Sequence, residues 1–106
     1  MTDDAPAVAV IFISTRADGD DDAYHQVAAV MDAMARRQPG FVRMESVRDP
    51  HTRRGITVSV WTDEQSARAW KDVVEHQAAQ QDGRDRFYQD YEVMVTKVVR
   101  GYRFSR

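Results

Sequence analysis

Cysteine is absent from the 106 residues, which excludes a disulfide scaffold, thiol catalysis and any Cys-ligated zinc site. A surplus of positive charge is absent too. Lys and Arg number 15 against 17 Asp and Glu, so the basic footprint of a nucleic-acid binder is missing. No apolar run nears the roughly 18 residues of a membrane span. Met1-Thr2-Asp3-Asp4 lacks the basic start of a signal peptide. There is no glycine-rich phosphate loop, no dinucleotide fingerprint and no flavin signature. With three His and no Cys, a dedicated transition-metal site is not expected. These absences predict one cytoplasmic domain over residues 1–106 with a loose tail at 1–6, no cofactor, and neither nucleic acid nor membrane as partner.

What is present alternates between two periods. Val8-Ala9-Val10-Ile11-Phe12-Ile13 is a continuous apolar, β-branched run, too short for a helix and read as a strand buried on both faces. Asp18-Gly19-Asp20-Asp21-Asp22 breaks it and suits a helix start, where orphan N–H groups favour carboxylates. The run has neither the spacing nor the closing Glu of a calcium loop. Tyr24, Val27, Ala28, Met31, Met34 and Ala35 then recur at helical spacing, predicting a helix over 21–37 that Gln38-Pro39-Gly40 stops.

Phe41 to Arg48 alternates as a strand, with Phe41, Arg43, Glu45 and Val47 on one face and Val42, Met44, Ser46 and Arg48 on the other. The first face is partly polar, which points to a sheet edge. A polar connection at 49–55 leads to a third strand, Ile56 to Trp61. Thr62-Asp63-Glu64-Gln65 reads as a capping box with Thr62 as N-cap. The helix it opens runs to about Gln80, with Ala67, Trp70, Val73, Val74 and Gln77 inward. A short helical turn is expected over 84–90, carrying Phe87 and Tyr88, and a last strand over 91–104.

The order β-α-β-β-α-β predicts a ferredoxin-like α+β fold, a four-stranded antiparallel sheet with helices on one face. The first and last strands are apolar on both faces, so the open face of the sheet needs a cover. A second copy packed face to face supplies one, and a homodimer through the sheet face is the expectation.

Several residues are candidates for chemistry. His76 is able to act as a base near neutral pH or as a ligand. It follows Trp70 by six residues, so the two point about 120° apart on an ideal helix, and His76 lies about 60° from Val73. It fits equally an exposed helix histidine paired with Asp72. Trp70 and Phe12 suit apolar walls for a flat ligand or plain core. Tyr88 and Tyr91, with Tyr24 and Phe87, suit a pocket in which phenol hydroxyls fix orientation. Arg16, just past a buried strand, suits a bidentate grip on an anion or an ion-paired strand end.

The chain resembles the antibiotic biosynthesis monooxygenase-like proteins of the dimeric α/β-barrel superfamily over about 8–104. The resemblance rests on Val8–Arg16, on Gln38-Pro39-Gly40-Phe41, on Gly55–Trp61 and on Ala69-Trp70-Lys71 with Glu75-His76. Gly83-Arg84, Phe87-Tyr88 and Tyr91-Glu92-Val93 complete it. It implies oxidation of a small aromatic or polyketide-like substrate by O₂ without flavin, metal or haem. His76 would be the base, Tyr88, Tyr91 and Arg16 orienting donors, and Trp70 with Phe12 the walls. The same superfamily admits a non-catalytic barrel that binds a small ligand or is structural, and a haem-binding or haem-degrading protein. The haem-degrading branch carries an Asn on its first strand, and this sequence has no Asn.

Overall fold

A computed structural model describes residues 7–19, 21–80 and 87–106 of the chain, with the side chains of 78–80 excepted. The expected tail at 1–6, and the expected turn over 84–90 as far as residue 86, lie outside the described residues. The elements follow in the order β1 (Val8–Arg16), α1 (Asp21–Arg36), β2 (Phe41–Arg48), β3 (Arg54–Trp61), α2 (Glu64–Gln80) and β4 (Tyr88–Lys97). They form one antiparallel four-stranded sheet ordered β2-β3-β1-β4. This is the expected ferredoxin-like arrangement, and β2 is an edge strand as its mixed faces predict.

β1 lies inside the sheet, between β3 and β4, as its apolar residues on both faces suit. Val8, Val10 and Phe12 face the helices; Ala9, Ile11 and Ile13 face the other way. The core gathers at one end, where Val8, Val10, Ala35, Trp61, Ala67 and Trp70 are buried together. Trp61 is 0% exposed. Its ring stacks on Trp70 at 5.8 Å and meets Phe41 edge-on at 5.6 Å, and its indole N–H donates to Ser59 Oγ at 2.9 Å. The one polar atom of the side chain is thereby satisfied in a site without water.

Three local expectations need correction. Strict alternation in β2 puts Phe41 opposite Met44, yet a register shift between Phe41 and Arg43 leaves Val42 as an extra residue. That bulge turns Phe41 to the helix side, where it pairs with Trp61 alongside Met44, Ser46 and Arg48. The N-cap of α2 is Asp63, not Thr62. Asp63 Oδ1 accepts the Ser66 backbone N–H at 2.8 Å, and Thr62 Oγ1 donates to Asp63 Oδ2 at 3.0 Å. Ser66 N–H, then the Thr62 hydroxyl, hold the Asp63 carboxyl below its ordinary range. Lastly, β4 runs over Tyr88–Lys97 rather than 91–104. Lys97 pairs with Val8, the first residue of β1, and the Val98 N–H donates to the Ala7 carbonyl at 2.8 Å just beyond it. Val99, Tyr102 and Phe104 lie exposed beyond the sheet.

Gly40 explains the sharp exit from α1. Its φ is +83°, a left-handed value that side chains disfavour. A Cβ there would collide with the Ser66 side chain. Its carbonyl accepts Thr62 N–H at 2.9 Å, which ties the end of α1 to the start of α2.

The side of the sheet away from the helices carries Ile11, Ile13, Ile56, Val58 and Met94, and none of the described elements covers it. Ile56 remains 44% exposed and Val47 72%.

Because Trp61 is fully buried between Phe41 of the sheet and Trp70 of α2, Trp61→Ala should lower unfolding free energy by about 3–5 kcal/mol. Urea denaturation followed by circular dichroism reads this directly, and a loss below about 1 kcal/mol would contradict the packing described.

Candidate functional site

The aromatic core fills only one half of the space between sheet and helices. The other half holds a cavity of about 330 Å³, at the small end of the range for ligand sites. Its floor comes from the helix side of the sheet: Val10 and Phe12 of β1, Met44, Ser46 and Arg48 of β2, Thr57 and Ser59 of β3. α1 contributes Tyr24, Val27, Ala28 and Met31, which are the inward stripe its periodicity predicts. α2 contributes Trp70, Val74 and Gln77, while Phe87 and Tyr88 close one end.

The cavity is chemically two-ended. Trp70, Val74, Met31, Met44 and Val10 make one apolar part. Aromatic rings and arginines make the other. Phe12 meets the Tyr88 ring edge-on at 5.4 Å and Tyr91 at 5.5 Å. Tyr24 stands edge-on to Phe87 and Tyr88, at 6.0 Å from each. A short hydroxyl ladder crosses the floor, with Ser46 and Thr57 hydrogen-bonded at 2.7 Å. Ser59 Oγ already accepts from Trp61, so its own proton is left to donate.

Tyr88 is mostly buried. Burial, and then its neighbour Tyr24 through charge and a shared hydrogen bond, push its phenol well above the ordinary value. At neutral pH it is therefore an O–H donor and not a base.

Arg16 is 3% exposed, and its guanidinium is engaged inside the protein. Nη1 donates to the carbonyls of Phe87 at 2.7 Å and Ala17 at 3.2 Å. Nη2 donates to Asp21 Oδ1 at 2.7 Å and the Gly19 carbonyl at 3.2 Å. The guanidinium lies over the Tyr24 ring, 4.0 Å from its centroid. Arg53, at φ 63°, also donates to Asp21 Oδ1, at 3.0 Å. That bond, with the charges of Arg53 and Arg16, holds the Asp21 carboxyl below its ordinary range.

Arg48, at the end of β2, lines the cavity. Nη1 donates to the carbonyls of Arg53 at 2.7 Å and Ser14 at 3.3 Å; Nη2 donates to Ser14 Oγ at 2.7 Å and Tyr24 Oη at 3.3 Å. Gly55 lies beneath it, and a Cβ there would meet the guanidinium carbon at 2.6 Å. A side chain at 55 would therefore displace the Arg48 guanidinium from its present place.

The structure brings Phe12, Trp70 and Tyr88 to one cavity. Tyr91 packs behind Phe12 and Tyr88. Arg16 is a buried clamp that holds Tyr24 and the entry to β4. His76 is exposed on α2 and is not part of the cavity wall. The histidine that does line the cavity is His25, exposed at its rim on α1 with its ring 5.6 Å from Tyr24. Sequence reasoning passed over His25, Arg48 and the Ser46–Thr57–Ser59 ladder. The signal for the ladder was available, since Thr57 and Ser59 share a strand face with Trp61. Among the described residues, no group of three or more His, Cys, Asp or Glu is placed to hold a metal ion, and no helix is long and apolar enough to cross a membrane.

Raised Tyr88 has a consequence for stability. The unfolded chain loses this proton near the ordinary value of 10, while the folded chain keeps it to higher pH. Stability from Tyr88 is thus present below pH 10 and falls as pH rises beyond it. Tyr88→Phe should flatten the alkaline limb of a stability-versus-pH curve measured by urea titration. An unchanged limb would show that Tyr88 ionises normally.

The sequence profile of a family described as antibiotic biosynthesis monooxygenase matches residues 6–82. The Bacillus subtilis protein YqjZ, itself described as uncharacterized, is 42% identical over 99 residues, covering 93% of this chain and 85% of that one. Among solved structures, SnoaB from Streptomyces nogalater, described as a cofactor-independent oxygenase, superposes with a TM-score of 0.65 at 20% identity, covering 92% of this chain and 97% of its own. Protein SO0527 from Shewanella oneidensis superposes with a TM-score of 0.70 at 17% identity, covering 92% of this chain and 95% of its own. The chain belongs to the antibiotic biosynthesis monooxygenase family.

Proposed function

We propose that this family member is a cofactor-independent monooxygenase-like protein that oxidises a small aromatic or polyketide-like substrate with O₂, working as a homodimer. The observation that carries the reading is the two-ended cavity: aromatic and apolar walls for a flat ring, and phenol donors with a cation at one end. The description of SnoaB as a cofactor-independent oxygenase supports it at the level of a shared fold.

In this reading the substrate supplies the electrons. A base removes a proton from an activated C–H, and the resulting carbanion reduces O₂, forming a C–O bond in a peroxide. Protonation gives the hydroperoxide, and loss of water leaves a carbonyl. One oxygen atom enters the product and the other leaves as water, so no outside reductant is consumed. The protein's part is to hold the ring, stabilise the anion and exclude water. Trp70 and Phe12 are the walls. Tyr88, backed by Tyr91, donates to the substrate oxygen. Arg16 positions Tyr24. The proton acceptor is His25, since it borders the cavity, whereas His76 would act only if the substrate extended around α2.

Oxygen uptake with a hydroxyanthrone or 1,4-dihydroxynaphthalene, above the uncatalysed rate, tests this. One O₂ should be consumed per substrate, and catalase should return none. His25→Ala should lower kcat about 100-fold, in the usual range for a general base, while His76→Ala should change it less than about threefold. The reverse pattern gives the base role to His76. No uptake across the substrate panel would overturn the oxygenase reading and favour a barrel that only binds.

The uncovered apolar face around Ile11, Ile56 and Val58 supports the homodimer. Light scattering should give twice the chain mass at micromolar concentration, and Ile56→Glu, at a position exposed in the single chain, should give the monomer without loss of secondary structure. A wild-type monomer would remove the dimer from the account.

A further inference from the structure

Arg48 carries a charge that nothing in the described structure neutralises. Its partners are two backbone carbonyls, the Ser14 hydroxyl, the Tyr24 hydroxyl and the Tyr24 ring, whose centroid is 5.6 Å from the guanidinium carbon, all uncharged. The nearby carboxylates are committed elsewhere. Asp21 is ion-paired with Arg16 at 2.7 Å and Arg53 at 3.0 Å. Asp32, on the α1 side of the cavity, is ion-paired with Arg36 at 3.0 Å. Asp90 lies 3.9 Å from Arg54. Among the described residues no carboxylate lies within ion-pair distance of Arg48. A partly buried cation without a counter-charge is unfavourable, because hydrogen bonds to neutral groups replace only part of the lost hydration. Four bonds nonetheless fix it, and Gly55 leaves room for it to lie flat. Four of the five guanidinium N–H donors are used, and Nε–H has no partner among the described residues.

From this we infer that Arg48 is a specificity-determining residue, selecting ligands that combine a flat apolar body with an anionic oxygen. The body lies against Trp70, Met31 and Val74, and the oxygen, a carboxylate or an ionised enol, faces the Arg48 guanidinium. The inference rests on the proposed use of the cavity for a small aromatic substrate and adds the charge of that substrate. It differs from the grip expected of Arg16, whose charge is already matched by the Asp21 carboxylate at 2.7 Å.

The test compares 2-naphthoate with 2-naphthamide, which share size and shape but not charge, by calorimetry and by quenching of tryptophan fluorescence. Wild-type protein should bind the naphthoate at least about tenfold more tightly, as a charge-assisted contact would give. Arg48→Met should bring the two affinities within about twofold, with naphthamide binding unchanged, while Arg48→Lys should keep part of the preference. Unchanged naphthamide binding also shows that the Arg48→Met variant is folded. If that variant does not fold, Arg48→Lys decides in its place: a weakened preference supports the role of Arg48, and a full wild-type preference overturns it. Equal wild-type affinities would overturn the role of Arg48 and leave the aromatic cavity standing. A preference that survives Arg48→Met would also overturn it, by placing the anion at another cation. Binding of neither probe would overturn both this inference and the use of the cavity for aromatic ligands, whereas oxygen uptake reports separately on the oxidation.

Discussion

The site depends on the buried guanidinium of Arg16. One side chain joins the end of β1 to the loop before α1 through Gly19 and Asp21, and to the entry of β4 through the Phe87 carbonyl. It also stacks on Tyr24. Those are the segments that carry the phenols of the cavity. A buried charge tolerates this position because its partners converge from three directions. A bulge at Thr15/Arg16 brings Arg16 opposite Tyr88, so the irregularity in the strand is what lets a strand-end arginine serve the site.

The cavity itself follows from an uneven distribution of bulk. Trp61, Trp70 and Phe41 crowd one end of the helix-facing sheet. Further along the same face the sheet offers Ser59, Thr57, Ser46 and Gly55, and α1 offers Ala28 and Val27. Small residues on facing surfaces leave space that the flanking aromatics cannot reach into. The floor is polar where the roof is apolar, and such a space orients a flat molecule better than it stabilises the fold. The other side of the sheet presents aliphatic side chains only partly covered within the chain, so one sheet lines the cavity on one face and leaves the other largely open.

Much of this was legible in the sequence, for a physical reason. Periodicity reports which side of an element is apolar, so the order of elements, the inward stripes of both helices and the two apolar faces of β1 could be read without coordinates. Local hydrogen bonding was less legible: Thr62 and Asp63 are both able to cap α2, and only geometry shows that Asp63 does. Val42 interrupts the alternation of β2 without any glycine or proline to announce a bulge. The end of β4 depends on where β1 begins, which is a tertiary fact. The site was legible as a set of residue types and less so as an arrangement. Phe12, Trp70 and Tyr88 meet, but a sequence does not say which arginine finds a carboxylate. Arg16 found Asp21 and Arg48 did not. Nor does it say which helix histidine borders a space, and the small step around α2 that separates His76 from the wall is one that spacing alone leaves open.

The central claim is that the space between sheet and helices is a binding site and not a packing defect. The measurement that addresses it most directly is a crystal structure of the protein grown with 2-naphthoate. The account predicts a single ordered naphthalene ring between Trp70 and Met31 with its carboxylate directed at Arg48, and the backbone otherwise unmoved. A cavity closed by inward rotation of Met31 and Met44, with no ligand between sheet and helices at saturating concentration, would contradict it.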